Sequence, residues 1–282
     1  MKNIKLIALD LDGTLLNSER KVPERNRKAI KQAKEKGIEI IISTGSPYDL
    51  MPHEEIKELG ISYVITANGS AVYEYPNRKC IYEESIDAMT ITPILEFLLT
   101  KDMHIDLFMQ GKGYCPSYTK AIVNKLDVPT ARKEYILNNR AWLENPIEYI
   151  REHDLTIQKI TMNFYPDRDG ELVDRVEVKR YLESLCCISL VSGGWGNLEV
   201  TKKGVSKGKA LKILCDKLYI SLTETLVFGD SLNDLDIIQT SGIGVAMKNA
   251  MAGVRDAADY VTDTNDACGV AKFIEELLTR NR

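Results

Sequence analysis

The sequence predicts an α/β fold: a doubly wound parallel sheet into which an α+β domain is inserted. Three observations predict it. Short apolar runs alternate with helical patterns at both ends of the chain. These runs are continuous rather than alternating, as in strands buried on both faces. The middle of the chain differs, with strand patterns that alternate polar and apolar residues, as in a sheet with one exposed face. The 282 residues suffice for such a core and an insertion.

The elements follow in order. "IKLIALD" (4–10) reads as the first strand, and "PERNRKAIKQAKEKG" as a helix with Pro23 near its start and Gly37 as its stop. "IEIIIST" (38–44), a helical stretch across "LMPHEEIKELG" and "YVITANG" (63–69) continue the alternation. "AVYEYPNRKCIYEE" (71–84) reads as a hairpin turning around Pro76 to Arg78. "HIDLFM" (104–109), "TIQKITMNFY" (156–165) and "CCISLVSG" (186–193) are strands of the middle region, with a helical stretch at 169–185. "TLVFGD" (225–230), "GIGVAM" (242–247) and "DYVT" (259–262) return to the parallel pattern. The expected division is a core of residues 1–84 and 191–282 with an inserted domain at 85–190.

Composition narrows the function classes. Hydrophobic residues make up 44% and charged residues 28%, an ordinary soluble balance, and the net charge is −4. Nothing in that balance points to nucleic acid or a membrane as partner. "MKNIKLIALDLDG" is too short in its apolar part for a signal peptide and contains Asp10. The cysteines (Cys80, Cys115, Cys186, Cys187, Cys215 and Cys268) form no C-x-x-C pair and read as reduced, mostly buried thiols. His53, His104 and His153 are scattered, so a zinc site is not expected. A cytoplasmic protein is the expectation.

The chemistry gathers at strand ends. In "IALDLDGTLLN" two aspartates end an apolar run, and alternation would put Asp10 and Asp12 on one face. Like charges so close require a bound cation or a shared proton. Ser43, Thr44 and Gly45 end the second strand, and Asp230 ends "TLVFGD", with Asn233 and Asp234 just beyond. Strand ends of one parallel sheet share an edge, so these groups can converge. Carboxylates with a hydroxyl and amides form a hard-oxygen set suited to Mg²⁺, which also favours phosphate oxygens. Thr44 and the amides of the turn through Gly45 offer phosphate donors. Lys207 offers another near a helix start, where Ser206 is a candidate N-cap. The segment is not a Walker A loop: three residues separate Gly204 from Gly208, and Ala210 stands where Ser or Thr is needed. A carboxylate beside a phosphoryl group can act as nucleophile, and a second one can protonate the departing oxygen and then activate water. Gly13 permits the tight turn that such a pair requires.

"DLDGTLLN", "STGS", the Lys207 segment and "GDSLND" resemble, in order, the four motifs of the haloacid dehalogenase superfamily. "TANGS", "LEVTKKGVSKGKAL" and "GVAMKNAMAGVRDAADYVT" resemble its Cof-type phosphatases, which carry a large α/β cap between the second and third motifs. The resemblance implies a Rossmann-like core and a Mg²⁺-dependent phosphomonoesterase of small phosphorylated metabolites, often sugar phosphates. It implies Asp10 as nucleophile and Asp12 as general acid and base. Asp10, the main-chain carbonyl of Asp12 and Asp230 would hold the metal, with Asp234 beside them. Thr44 and Lys207 would hold the phosphoryl group, and Asn233 would support it. Ser46 departs from the pattern, since members commonly carry Arg there.

Other readings compete. A phosphotransferase of the same superfamily would share the first half-reaction. A non-catalytic sensor is disfavoured because binding alone does not require Asp12. Asp230 and Asp234 could merely complement a helix dipole, a reading that suits Asp234 better than Asp230. Lys202, Lys203 and Lys209 read as a solvated face. "SGGWGN" (192–197) reads equally as a linker or as a hinge with Trp195 near an entrance. Phe108, Tyr114 and Tyr118 read as core more than as substrate wall.

Overall fold

The computed structural model describes residues 3–192 and 196–280. Its chain divides into two units: residues 1–46, 51–82 and 206–282 form the first, and residues 47–50 with 83–205 form the second. Trp195 lies outside the described residues.

The first unit starts with β1 (Leu6–Leu9), α1 (Glu24–Glu35), β2 (Glu39–Ser43), the short α2 (His53–Ile56), β3 (Tyr63–Thr66), β4 (Ala71–Glu74) and β5 (Lys79–Glu83). The second unit follows with α3 (Ala88–Leu98), β6 (His104–Met109), β7 (Lys112–Pro116), α4 (Lys120–Val123), α5 (Thr130–Asn138) and β8 (Ala141–Leu143). It continues through α6 (Pro146–Glu152), β9 (Lys159–Asn163), α7 (Arg175–Glu183), β10 (Ile188–Ser192) and β11 (Leu198–Lys202). The chain then re-enters the first unit with α8 (Lys207–Leu218), β12 (Thr225–Gly229), α9 (Leu235–Thr240), β13 (Ile243–Ala246), α10 (Ala252–Ala257), β14 (Tyr260–Val261) and α11 (Gly269–Arg280).

The first sheet has the strand order β14-β13-β12-β1-β2-β3-β4-β5. β1 pairs in parallel with both β2 and β12, and all four of its residues are buried. After β1 the chain builds outward on one side through β2 and β3. It later returns to build on the other side through β12 and β13. That reversal is a topological switch point, where a crevice opens at the carboxyl ends of the strands. α1 covers the sheet with Ala29, Ile30 and Ala33. Its buried Asn26 donates to the Leu15 carbonyl at 3.3 Å and accepts from the Ala271 N–H at 3.1 Å, tying the loop after β1 to α11.

The second unit has a six-stranded sheet, ordered β10-β11-β9-β6-β7-β8. Ile105, Leu107 and Met109 of β6 join Ile160 and Met162 of β9 in an apolar core. Ile94 and Leu98 of α3, Ile150 of α6 and Val178 of α7 complete it. The expected alternation holds, but the polar face is not exposed. Lys159 is 2% and Thr161 6% exposed, and Lys159 is neutralised by Glu199 at 2.8 Å. The expected boundary at residue 191 falls inside β10, whose pairing with β11 keeps both strands in this unit to Val205. Phe108 and Tyr114 are buried, whereas Tyr118 is 48% exposed.

The six cysteines are all free, but only Cys115 and Cys215 are buried; Cys80 and Cys186 are exposed, against the expectation of mostly buried thiols. Among the described residues no helix is long and apolar enough to cross a membrane.

Candidate active site

The site forms where β1, β2 and β12 end. β1 stops at Leu9, and Asp10 follows it almost fully buried, its N–H donating to the Phe228 carbonyl at 3.2 Å. α8 enters from the side. Ser206 caps it, its hydroxyl oxygen accepting from the Lys209 N–H at 3.1 Å, so Lys207 becomes the first helical residue. The turn at Asn68 and Gly69 abuts this cap: Gly69 has φ +98°, and a β-carbon there would sit 2.4 Å from the Ser206 carbonyl carbon. Lys207 is fully buried. Its Nζ donates to Asp10 Oδ1 at 2.9 Å and to Asp234 Oδ1 at 2.6 Å.

Asp230 follows β12 in the same way. Its carboxylate accepts from Thr14 Oγ1 at 3.1 Å and from Ser231 Oγ at 3.3 Å. Gly13, at φ +81°, passes so close that an added β-carbon would lie 2.8 Å from Asp230 Cγ. Glycine is therefore required for the approach, beyond the turn that suggested it. Asp234 Oδ2 accepts from the N–H groups of Asp230 at 3.1 Å and Ser231 at 3.0 Å. Both of its oxygens are thus committed, and it braces Lys207 against the loop. Asn249 and Asn265 hold this turn from behind, donating to the Gly13 and Leu16 carbonyls at 2.8 and 2.9 Å.

Asp10, Asp230 and Asp234 each offer a carboxylate oxygen, all within 4.8 Å of one another. Three carboxylates with one buried ammonium leave excess negative charge. Burial drives the Asp10 carboxyl well above the usual range; Lys207 opposes that rise while Asp234 and Asp230 add to it. Burial and then Asp234 push Asp230 up to about 6. Burial works against the charge of Lys207, but Asp10 and Asp234 outweigh it and raise its pKa, so the ammonium stays protonated. A hard-oxygen set with surplus negative charge fits a divalent cation of the Mg²⁺ type.

Thr44 is 2% exposed, and its Oγ1 accepts from the Ser46 N–H at 3.2 Å. The N–H of Gly45 makes no hydrogen bond among the described residues. Ser43 Oγ and Asn233 Oδ1 are buried and unpartnered. The Asn233 Nδ2 donates to Asn68 Oδ1 at 2.9 Å. The unpaired Gly45 N–H beside the Thr44 hydroxyl suits a polar ligand.

Asp12 is the expected residue that the structure sets apart. The strand ends before Asp10, so alternation does not carry through, and the Asp12 side chain is 51% exposed. It pairs with Arg20 at 2.6 Å instead of joining the buried carboxylates. Thr14, Asn68, Asn249 and Arg20 were not singled out by sequence reasoning. Asn68 lies in "TANGS" and Asn249 in "GVAMKNAM", two of the segments that carry the family resemblance.

A second buried group lies in the other unit, where His104, Asp106 and Cys115 offer ligand atoms within 4.8 Å of one another. It closes on itself. Cys115 Sγ donates to Asp106 at 3.3 Å, Arg140 Nε donates to the same oxygen, and the Thr119 hydroxyl donates to the Pro116 carbonyl at 2.9 Å. His104 Nδ1 lies 3.1 Å from that hydroxyl oxygen. Arg140 already supplies the positive charge, so this group is a polar network of the fold.

The sequence model of the haloacid dehalogenase-like hydrolases matches residues 7–274. The chain belongs to that family. Among curated proteins, this hydrolase is 35% identical to phosphatase YwpJ of Bacillus subtilis, over 98% of this chain and all of the relative. It is 33% identical to the 5-amino-6-(5-phospho-D-ribitylamino)uracil phosphatase YcsE of the same organism, over 96% of this chain and 95% of the relative. Among solved structures, a haloacid dehalogenase-like hydrolase from B. subtilis superposes with a TM-score of 0.83 at 30% identity, covering 97% of this chain and all of the other. This hydrolase is a phosphatase.

Proposed function

We propose that the enzyme is a Mg²⁺-dependent phosphomonoesterase of small phosphorylated metabolites, working through an aspartyl-phosphate at Asp10. The observation that carries this reading is the convergence of Asp10, Lys207, Asp234 and Asp230 at the carboxyl edge of β1 and β12. Asp10 and Asp230 would hold the metal with their side chains and Asp12 with its main-chain carbonyl; Asp234 would add its negative charge beside them while bracing Lys207. Bound Mg²⁺ would supply positive charge beside the transferring oxygens.

Lys207 engages Oδ1 of Asp10, which leaves Oδ2 to attack phosphorus. As the new P–O bond forms, the ester P–O bond breaks and its electron pair leaves with the alcohol oxygen, which takes a proton from Asp12. Water then attacks phosphorus and gives its proton to Asp12, and inorganic phosphate departs from Asp10. Thr44, the Gly45 N–H, Lys207 and the second N–H of the Asn233 amide, whose first goes to Asn68, are the donors we assign to the phosphoryl oxygens. Ser46 offers no guanidinium, so phosphate recognition in this reading rests on those groups.

The name of the YcsE relative supports testing phosphorylated ribityl compounds together with sugar phosphates. We place the enzyme in the cytoplasm on the strength of its six free cysteines. The test is phosphate release from p-nitrophenyl phosphate, with Mg²⁺ and with EDTA, by wild type and Asp10→Asn. Release that requires Mg²⁺ and disappears in the variant is expected. Equal release from the variant would remove Asp10 as nucleophile.

A further inference from the structure

We infer that Arg20 is a positioning residue for Asp12, holding one carboxylate oxygen so that the other is presented for proton transfer. This rests on the reading of Asp12 as general acid and base. The Arg20 Nη1 donates to Asp12 Oδ1 at 2.6 Å. Oδ2 of Asp12 has no hydrogen-bond partner among the described residues. A half-exposed carboxylate would otherwise sample several rotamers. One guanidinium bond to one oxygen restricts that freedom while leaving the working oxygen open.

The loop carrying Arg20 is built to hold it in place. Arg20 has φ +60°, a conformation uncommon for a residue with a β-carbon. Its N–H donates to the Asn17 carbonyl at 2.8 Å, and the Asn17 N–H donates to the Lys21 carbonyl at 2.9 Å. Asn17 Oδ1 accepts from the N–H groups of Glu19 and Lys21, at 3.1 and 2.9 Å. Ser18 fastens the loop to Asp266 through its N–H at 2.8 Å and its hydroxyl at 2.6 Å. A backbone held so firmly at a sparsely populated angle, eight residues after Asp12, is expected where a side chain must be aimed.

The positioning role shows in leaving-group dependence. p-Nitrophenolate departs without a proton, whereas a sugar alkoxide must receive one. The measurement is kcat/KM for p-nitrophenyl phosphate and for the best sugar phosphate of a panel, in wild type, Asp12→Asn, Arg20→Ala, Arg20→Lys and the Arg20→Ala/Asp12→Asn double variant. Arg20→Ala is expected to lower the sugar phosphate value about tenfold or more, and the aryl value by a distinctly smaller factor. Arg20→Lys should recover part of the loss, since an ammonium can still hold one oxygen. In the Asp12→Asn background, Arg20→Ala should cost nothing further. Equal losses on both esters, or a further loss in that background, would overturn the positioning role while leaving the Asp12 reading intact. If Asp12→Asn itself lowered both esters equally, the acid/base reading would fail and this inference with it. Melting curves of each variant separate these results from a folding defect.

Discussion

Replacing Asp230 by Asn takes one negative charge out of the buried carboxylates and keeps an oxygen that can accept from Thr14. Burial first, and Asp234 second, raise this carboxyl from 3.8 to about 6. A carboxyl raised in the folded state is penalised only when ionised. The penalty is therefore absent below about pH 4, grows as pH rises, and is complete above about pH 6. At about 1.4 kcal/mol per tenfold, the difference comes to about 3 kcal/mol at pH 7.5 in the absence of metal. Weakening the bond from Ser231 gives back about 1 kcal/mol. The variant should thus be more stable than wild type by about 2 kcal/mol at pH 7.5, raising Tm by about 4–8 °C. At pH 4 most of the gain should vanish. Thermal unfolding in EDTA at both pH values measures this. Adding Mg²⁺ at pH 7.5 should then raise the wild-type Tm and leave the variant nearly unmoved, while phosphate release by the variant falls at least about a hundredfold. A variant no more stable than wild type at pH 7.5, or equally stabilised at both pH values, would refute the idea of uncompensated charge.

Three further outcomes follow from the same geometry. Lys207→Met leaves Asp10 and Asp234 buried without their cation; activity should disappear and urea unfolding should show a loss of about 3 kcal/mol, toward the low end for a broken buried pair because Asp10 can take up a proton. Gly13→Ala forces a methyl group into Asp230 at a left-handed backbone angle, so kcat should drop at least about tenfold and stability by about 1–2 kcal/mol; a fully active alanine variant would mean that the turn is looser than the structure has it. Arg140→Met strands the Asp106 carboxylate, which is held well below its usual range despite burial because Arg140 and His104 favour its charge. The expected loss is about 3–5 kcal/mol by chemical denaturation, and a loss under about 1 kcal/mol would contradict a desolvated pair.

The first sheet and its buried charges were legible for a physical reason. Parallel strands buried on both faces leave unbroken apolar runs, and the polar residue that ends each run stands at the carboxyl edge of the sheet, as Asp10, Thr44 and Asp230 do. What escaped was any contact whose partners carry no joint pattern. Asp12 looked like the twin of Asp10 because strand alternation was carried three residues past the end of the strand. The backbone leaves the sheet after Leu9, and the two carboxylates then part, one into the core and one to Arg20. Arg20 sits in a polar stretch, "NSERK", whose composition reads as solvated loop, and only its left-handed backbone and its partner set it apart. The second unit hid its charges for a related reason. Lys159 and Asp106 alternate with apolar neighbours just as an exposed face would, and burial becomes visible only once Glu199 and Arg140 are seen to neutralise them. Periodicity reports which side of a strand a residue occupies. It says nothing of whether that side meets water or an opposite charge from elsewhere in the chain, and that difference separates Asp12 at the surface from Asp106 in the interior.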